Sequence, residues 1–166
     1  MKLAITGTPG TGKTTATAQL DDDVVHLNEV IESESLYTKT DDERDSHIAD
    51  FEAIEAWLDE HSPTIVESHL AHHFAADCVV VLRCAPEALV ERLKERDESR
   101  ASRAENAEAE ALDVILSETV ERHGPASVYE IETTDTSPSE VATEIERVLS
   151  GDREPGVGTV DYTSYL

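Results

Sequence analysis

The chain has 166 residues, enough for one domain around one hydrophobic core. Its 37 acidic residues against 13 basic ones give a formal charge of -24, which argues against a broad surface for nucleic-acid phosphates. No apolar run approaches the ~20 residues needed to span a bilayer, and the two cysteines, Cys78 and Cys84, form no CxxC pair or disulfide framework.

The negative charge is spread along the whole chain rather than gathered in a tail, the pattern of a solvated acidic surface such as halophilic proteins use in molar salt. It would also attract a basic partner. The cysteine usage fits a reducing cytoplasm, and MKLAITGTPG runs straight into a strand and loop, leaving no room there for a signal peptide.

In chain order, Lys2–Thr6 reads as a short apolar strand, and Lys13–Leu20 as a helix that starts inside a glycine loop. Val24–Leu27 is a second strand, Asn28–Tyr37 a polar helix, and Thr38–Asp42 an acidic turn. Glu43–Glu60 carries Ile48, Phe51, Ile54, Ala56, Trp57 and Leu58 at helical spacing, with Trp57 expected in the core. Pro63 precedes a strand at Thr64–Glu67. Cys78–Leu82 is continuously apolar, as in the buried middle of a parallel sheet.

Pro86 opens a helix reaching about Arg96. Asp97–Arg103 reads as a charged connector, and Ala104–Arg122 as one long helix stopped by Gly124–Pro125. Val128–Ile131 is a fifth strand, and Ser137–Leu149 a last helix. The segment after Ser150 reads as a flexible tail. Five strands interleaved with helices predict an α/β three-layer fold with a mostly parallel five-stranded sheet.

Gly7-Thr8-Pro9-Gly10-Thr11-Gly12-Lys13-Thr14 matches GxxxxGK[ST], the P-loop pattern. The glycines, Gly10 and Gly12 among them, let backbone N–H groups turn inward around phosphates. Lys13 reaches the β- and γ-phosphates, the Thr14 hydroxyl ligates Mg²⁺, and a helix N-terminus follows to favour the anion. Average residue usage produces such a match by chance about once in 200 chains of this length. Since a strand precedes the loop and a helix follows it, ATP with Mg²⁺ is the expected ligand, and the absence of an NKxD signature argues against a GTPase.

Glu67 ends an apolar strand, where an acid would hold Mg²⁺ or its water. Arg96 and Arg92, one helical turn apart, are candidates to face phosphates, while Arg100 and Arg103 read as solvated. His69, His72 and His73 lack cysteine neighbours and regular ligand spacing. The expected division is an active-site role for His69 and packing or surface roles for the other two.

GTPGTGKTT at Gly7–Thr15, LN at Leu27–Asn28, LY at Leu36–Tyr37 and DDERD at Asp41–Asp45 belong to a wider pattern. It continues in IVESHLAHHFAADCVVVLR at Ile65–Arg83, ERL at Glu91–Leu93, and Asn106 with Glu110. Over Met1 to about Leu149 the chain resembles the adenylate kinase 6 family, the Fap7/CINAP type, in its archaeal form.

The resemblance implies a nucleoside monophosphate (NMP) kinase domain over residues 1–150, with an NMP-binding segment at about 28–51, a short lid at about 95–105 and a tail at 151–166. It implies catalytic roles for Lys13, Glu67, His69 and Arg96, and nucleotide contacts from Gly10, Gly12, Lys13, Thr14, Thr15 and Arg96. Thr14 and Glu67 would hold the metal, and Asn28 and Arg44 would serve the NMP. It also implies an ATPase activity and transient contact with ribosomal protein uS11 during maturation of the pre-30S subunit. An arginine stands at the position of Glu32 in the eukaryotic form, so here Arg44 becomes the best candidate for the acceptor's phosphate.

Overall fold

The computed structural model describes residues 1–41 and 46–166. Its first half contains β1 (Leu3–Thr6), α1 (Lys13–Thr17), β2 (Val24–His26), α2 (Leu27–Ser33), β3 (Tyr37–Asp41), β4 (Ser46–Ala49), α3 (Phe51–His61) and β5 (Ile65–Glu67). A 3₁₀ turn at Ala71–His73 leads to β6 (Cys78–Arg83), α4 (Pro86–Glu95), α5 (Arg100–Ala111), α6 (Val114–His123), β7 (Val128–Glu132) and α7 (Pro138–Ser150).

Five strands form one sheet in the order β2-β5-β1-β6-β7, and each of its four pairings is parallel. β6 sits inside the sheet, and Val79, Val80, Val81 and Leu82 are wholly buried. Their alternation serves two cores. Val80 and Leu82 meet Ile5, Ala16, Val141 and Ile145 on one face, and Val79 and Val81 meet Ala4, Leu116 and Val128 on the other. Helices on both faces make the three layers expected from the alternating pattern.

Several local expectations are corrected. The turn expected at Thr38–Asp42 and the helix expected from Glu43 do not hold over the described residues Thr38–Asp41 and Ser46–Ala49. Instead β3 and β4 pair antiparallel as a separate two-stranded ribbon, with the Tyr37 and His47 rings stacked 3.8 Å apart. Helix α3 starts only at Phe51, where the Asp50 carboxylate accepts the Ala53 N–H at 3.2 Å.

Trp57 is only half-buried, stacked on His61, while Ile54 points into the core beside Leu27, Ile31 and Phe74. The connector ends earlier than expected, because Ser99 caps α5 by accepting the Ser102 N–H.

The predicted long helix Ala104–Arg122 is broken at Asp113, which adopts φ 55°, a left-handed conformation that Asp tolerates better than most residues. The buried Arg83 guanidinium causes the break, donating both to the Glu110 carbonyl at 3.0 Å and to the Asp113 carboxylate.

The segment after Ser150 lies against the sheet. Gly156 bridges Tyr129 as a short parallel extension beside β7, and the Thr159 N–H and hydroxyl both donate to Glu130.

Candidate active site

The carboxyl ends of β1 and β5 and the start of α1 meet at a cleft of about 920 Å³. This is the edge where ligands bind in open parallel sheets.

The Gly7–Thr14 loop forms its floor. Gly7 must be glycine, since a Cβ there would stand 2.7 Å from the Leu82 carbonyl oxygen. Gly12, at φ 94°, caps α1 in a left-handed conformation and turns the chain into the helix. Lys13 folds back into the loop, its Nζ donating to the carbonyls of Gly7 at 2.9 Å and Thr8 at 3.2 Å. Burial pushes its pKa down to about 8, with Glu67 opposing the shift and Arg96 adding to it. The loop thus holds the Lys13 cation in place through its own carbonyls.

On the β5 side, Glu67 is buried at the strand's end. Its Oε2 accepts from the Thr14 hydroxyl at 3.4 Å and pairs with His26 Nδ1 at 2.8 Å. A hydroxyl and a carboxylate this close are the hard oxygen donors that suit Mg²⁺. His69 also lines the cleft. Burial, helped by Lys13, lowers its pKa to about 4, so the ring is neutral at neutral pH. Asn28 stands beside it, with Nδ2 3.4 Å from His69 Nδ1 and Oδ1 accepting the Ser68 hydroxyl at 2.7 Å.

Arg96 is exposed at the end of α4 and lines the cleft opposite Glu67. Gly10, Gly12, Lys13 and Thr14 line it as well, whereas Thr15 faces an adjoining pocket that Arg96 shares. Arg44 lies outside the described residues.

Arg92 takes a different place from Arg96. Its guanidinium grips the back of the loop through the Gly10 and Thr11 carbonyls and donates to the Thr133 and Thr134 carbonyls. It braces the loop from outside, so of the two arginines only Arg96 lines the main cleft.

Two contributors escape a reading of the sequence. His26 ends β2 directly beside Glu67 in the parallel register, a proximity that sequence separation conceals. Glu110 lies within a motif but had no assigned task. Its carboxylate receives the Thr8 hydroxyl at 3.4 Å, the Cys84 N–H at 3.1 Å and Arg83 Nε at 2.9 Å, tying α5 to the loop. Burial raises the Glu110 pKa, and Arg83 opposes the shift.

A family model described as an AAA domain matches residues 3–113. A protein of Natronomonas pharaonis named "Putative adenylate kinase" is 59% identical over 168 residues, spanning the whole of both chains. Its namesake in Halobacterium salinarum is 54% identical over 169 residues, again spanning both completely. Among solved structures, shikimate kinase from Bacteroides thetaiotaomicron superposes with a TM-score of 0.55 at 18% identity, over 90% of this chain and 96% of that one. That likeness is one of fold.

Proposed function

This chain belongs to the family of these archaeal relatives, and from that premise we propose that it is a nucleoside monophosphate kinase moving the terminal phosphoryl group of ATP to an NMP, AMP first among them. The observation carrying this reading is the cleft in which Lys13, Thr14, Glu67 and Arg96 converge. Phosphoryl transfer asks a protein for positioning and charge neutralisation rather than covalent chemistry.

Lys13 and the loop N–H groups hold the phosphates, and Arg96 brings a second cation to the transferring group. A guanidinium so placed is worth roughly 10³–10⁵ in rate. Thr14 and Glu67 would hold Mg²⁺, which would supply neutralising charge at the phosphates. His69, kept neutral, offers a polar contact without repelling Lys13. Asn28 and the 28–51 segment, Arg44 included, receive the NMP, and residues about 95–105 act as the lid.

The test is a product assay with ATP alone and with each NMP in turn, in high potassium chloride. ADP formed from ATP and AMP together, and lost in Lys13→Ala and Arg96→Ala, is the expected result. No transfer to any NMP overturns it.

A second reading has its own support in the charge of -24 and in Glu32, which here pairs with His47 at 3.1 Å where a kinase acceptor site would want a cation. On this reading ATP hydrolysis is the main reaction, timing release of a basic client such as uS11 from the pre-30S subunit in the cytoplasm. Hydrolysis that uS11 accelerates, with no NMP phosphorylated, would favour it over the kinase.

A further inference from the structure

Away from the nucleotide cleft, the 3₁₀ turn at Ala71–His73 packs against α6. The His72 side chain is 1% exposed, and its Nε2 lies 2.8 Å from Oε2 of Glu118. His73 Nε2 lies 3.9 Å from the same oxygen, and the two imidazole centroids are 4.2 Å apart. One potential ligand atom from each of the three residues falls within 4.8 Å of the others.

We propose that His72, His73 and Glu118 bind one Zn²⁺ ion through two imidazole nitrogens and a carboxylate oxygen, leaving one position to water.

The donor set selects the metal. Two imidazoles and a carboxylate suit zinc, which takes four ligands tetrahedrally, whereas Mg²⁺ and Ca²⁺ want oxygen donors alone. With bonds of about 2.0–2.1 Å, adjacent ligand atoms of a tetrahedral site lie roughly 3.4 Å apart. The separations from Glu118 Oε2, 2.8 Å and 3.9 Å, bracket that length. For the ion to enter, the contact of Glu118 with His72 must lengthen and that with His73 shorten, each by about half an ångström.

The surroundings already hold His72 as a ligand must be held. Its Nδ1 is 2.8 Å from the Thr6 hydroxyl, and its backbone carbonyl accepts from His123 Nε2 at 2.7 Å. Binding exchanges one neutral tautomer for the other. The proton that Nε2 shares with Glu118 gives way to the metal, and Nδ1 carries a proton donated to Thr6 Oγ1, the outer-shell contact that metal-bound histidines make. His73 and Glu118, 24% and 46% exposed, leave an entry path from solvent. None of the three residues lines the nucleotide cleft, so the site is separate from the Thr14–Glu67 oxygen pair.

The test uses the full-length, untagged protein after treatment with a chelator, and Co²⁺ as the coloured probe for a zinc site. A tetrahedral visible absorption band should saturate at one ion per chain, disappear on adding Zn²⁺ and persist with excess Mg²⁺. His73→Ala and Glu118→Gln, both at partly exposed positions, should each weaken Co²⁺ binding at least about tenfold with an unchanged far-ultraviolet dichroism spectrum. Should His73→Ala fail to fold, Glu118→Gln alone decides. No band, a band that neither variant alters, or a band abolished by Thr14→Ala would overturn the proposal.

Discussion

Lys13 carries its charge in an enclosed loop, only 7% exposed, which is why its pKa falls from 10.5 to about 8. The sign follows from linkage: a lysine depressed in the folded state costs stability while charged, and that cost is relieved as pH rises through the window from 8 to 10.5. A phosphate in the loop reverses the shift and draws the proton back. ATP binding at about pH 8.5 should therefore take up a proton, and affinity should fall as pH rises past about 8. Calorimetry in two buffers of different ionisation enthalpy measures the uptake, and Lys13→Met should abolish it. His26 touches Glu67 and does not line the cleft. Losing that 2.8 Å contact frees the carboxylate to rotate away from Thr14, so His26→Phe should raise the Mg²⁺ concentration for half-maximal activity by about tenfold or more at unchanged AMP affinity. Lys13 was legible from its loop spacing. His26 was not, because its contact with Glu67 comes from strand register across the sheet.

Between α5 and α6 the chain turns where its helical periodicity continues. Ala107, Ala111, Leu112, Ile115 and Leu116 read as one apolar stripe, yet Leu112 is 52% exposed and Asp113 is left-handed. The cause is Arg83, 1% exposed and ion-paired with Glu110, Asp113 and Glu130 at once. Removing a buried charge strands its partners. Arg83→Leu should therefore lower the unfolding free energy by about 3–5 kcal/mol in urea titration, far beyond the loss of one surface pair. The segment after Ser150 shows the same dependence on distant contacts. Its polar, glycine-rich composition predicts a free tail, but Glu130 N–H donates to Gly156 at 2.9 Å, Gly156 N–H donates to Val128 at 3.0 Å, and Tyr162 covers the Arg83 guanidinium at 5.3 Å. At about 1 kcal/mol per net hydrogen bond, truncation after Ser150 should cost at least about 2 kcal/mol, seen as a lower urea midpoint.

Over the whole molecule the charge of -24 opposes compaction. Salt shortens the screening length from about 10 Å at 0.1 M to about 3 Å at 1 M. Raising potassium chloride across that range should raise the melting temperature of the wild-type chain. A melting temperature that falls or stays flat would mean the acidic surface is not limiting. Buried pairs should respond less, so Arg83→Leu should remain destabilised in high salt by nearly the same margin.

Sequence by itself determined the phosphate loop, the five sheet strands and the layered α/β class. Each rests on local information: a spacing of glycines, a run such as CVVVL, a proline or glycine at a helix end. Tertiary structure alone decided that Arg92 braces the loop while Arg96 faces the cleft, although Arg92 lies in the last turn of α4 and Arg96 directly follows it. It decided that Asp113 breaks a helix whose pattern runs on, and that His72, His73 and Glu118 converge from segments about 45 residues apart. The physical reason is common to all three. A side chain's role there depends on which partner the sheet order and a buried guanidinium bring within about 3 Å, and periodicity along the chain carries no record of that distance.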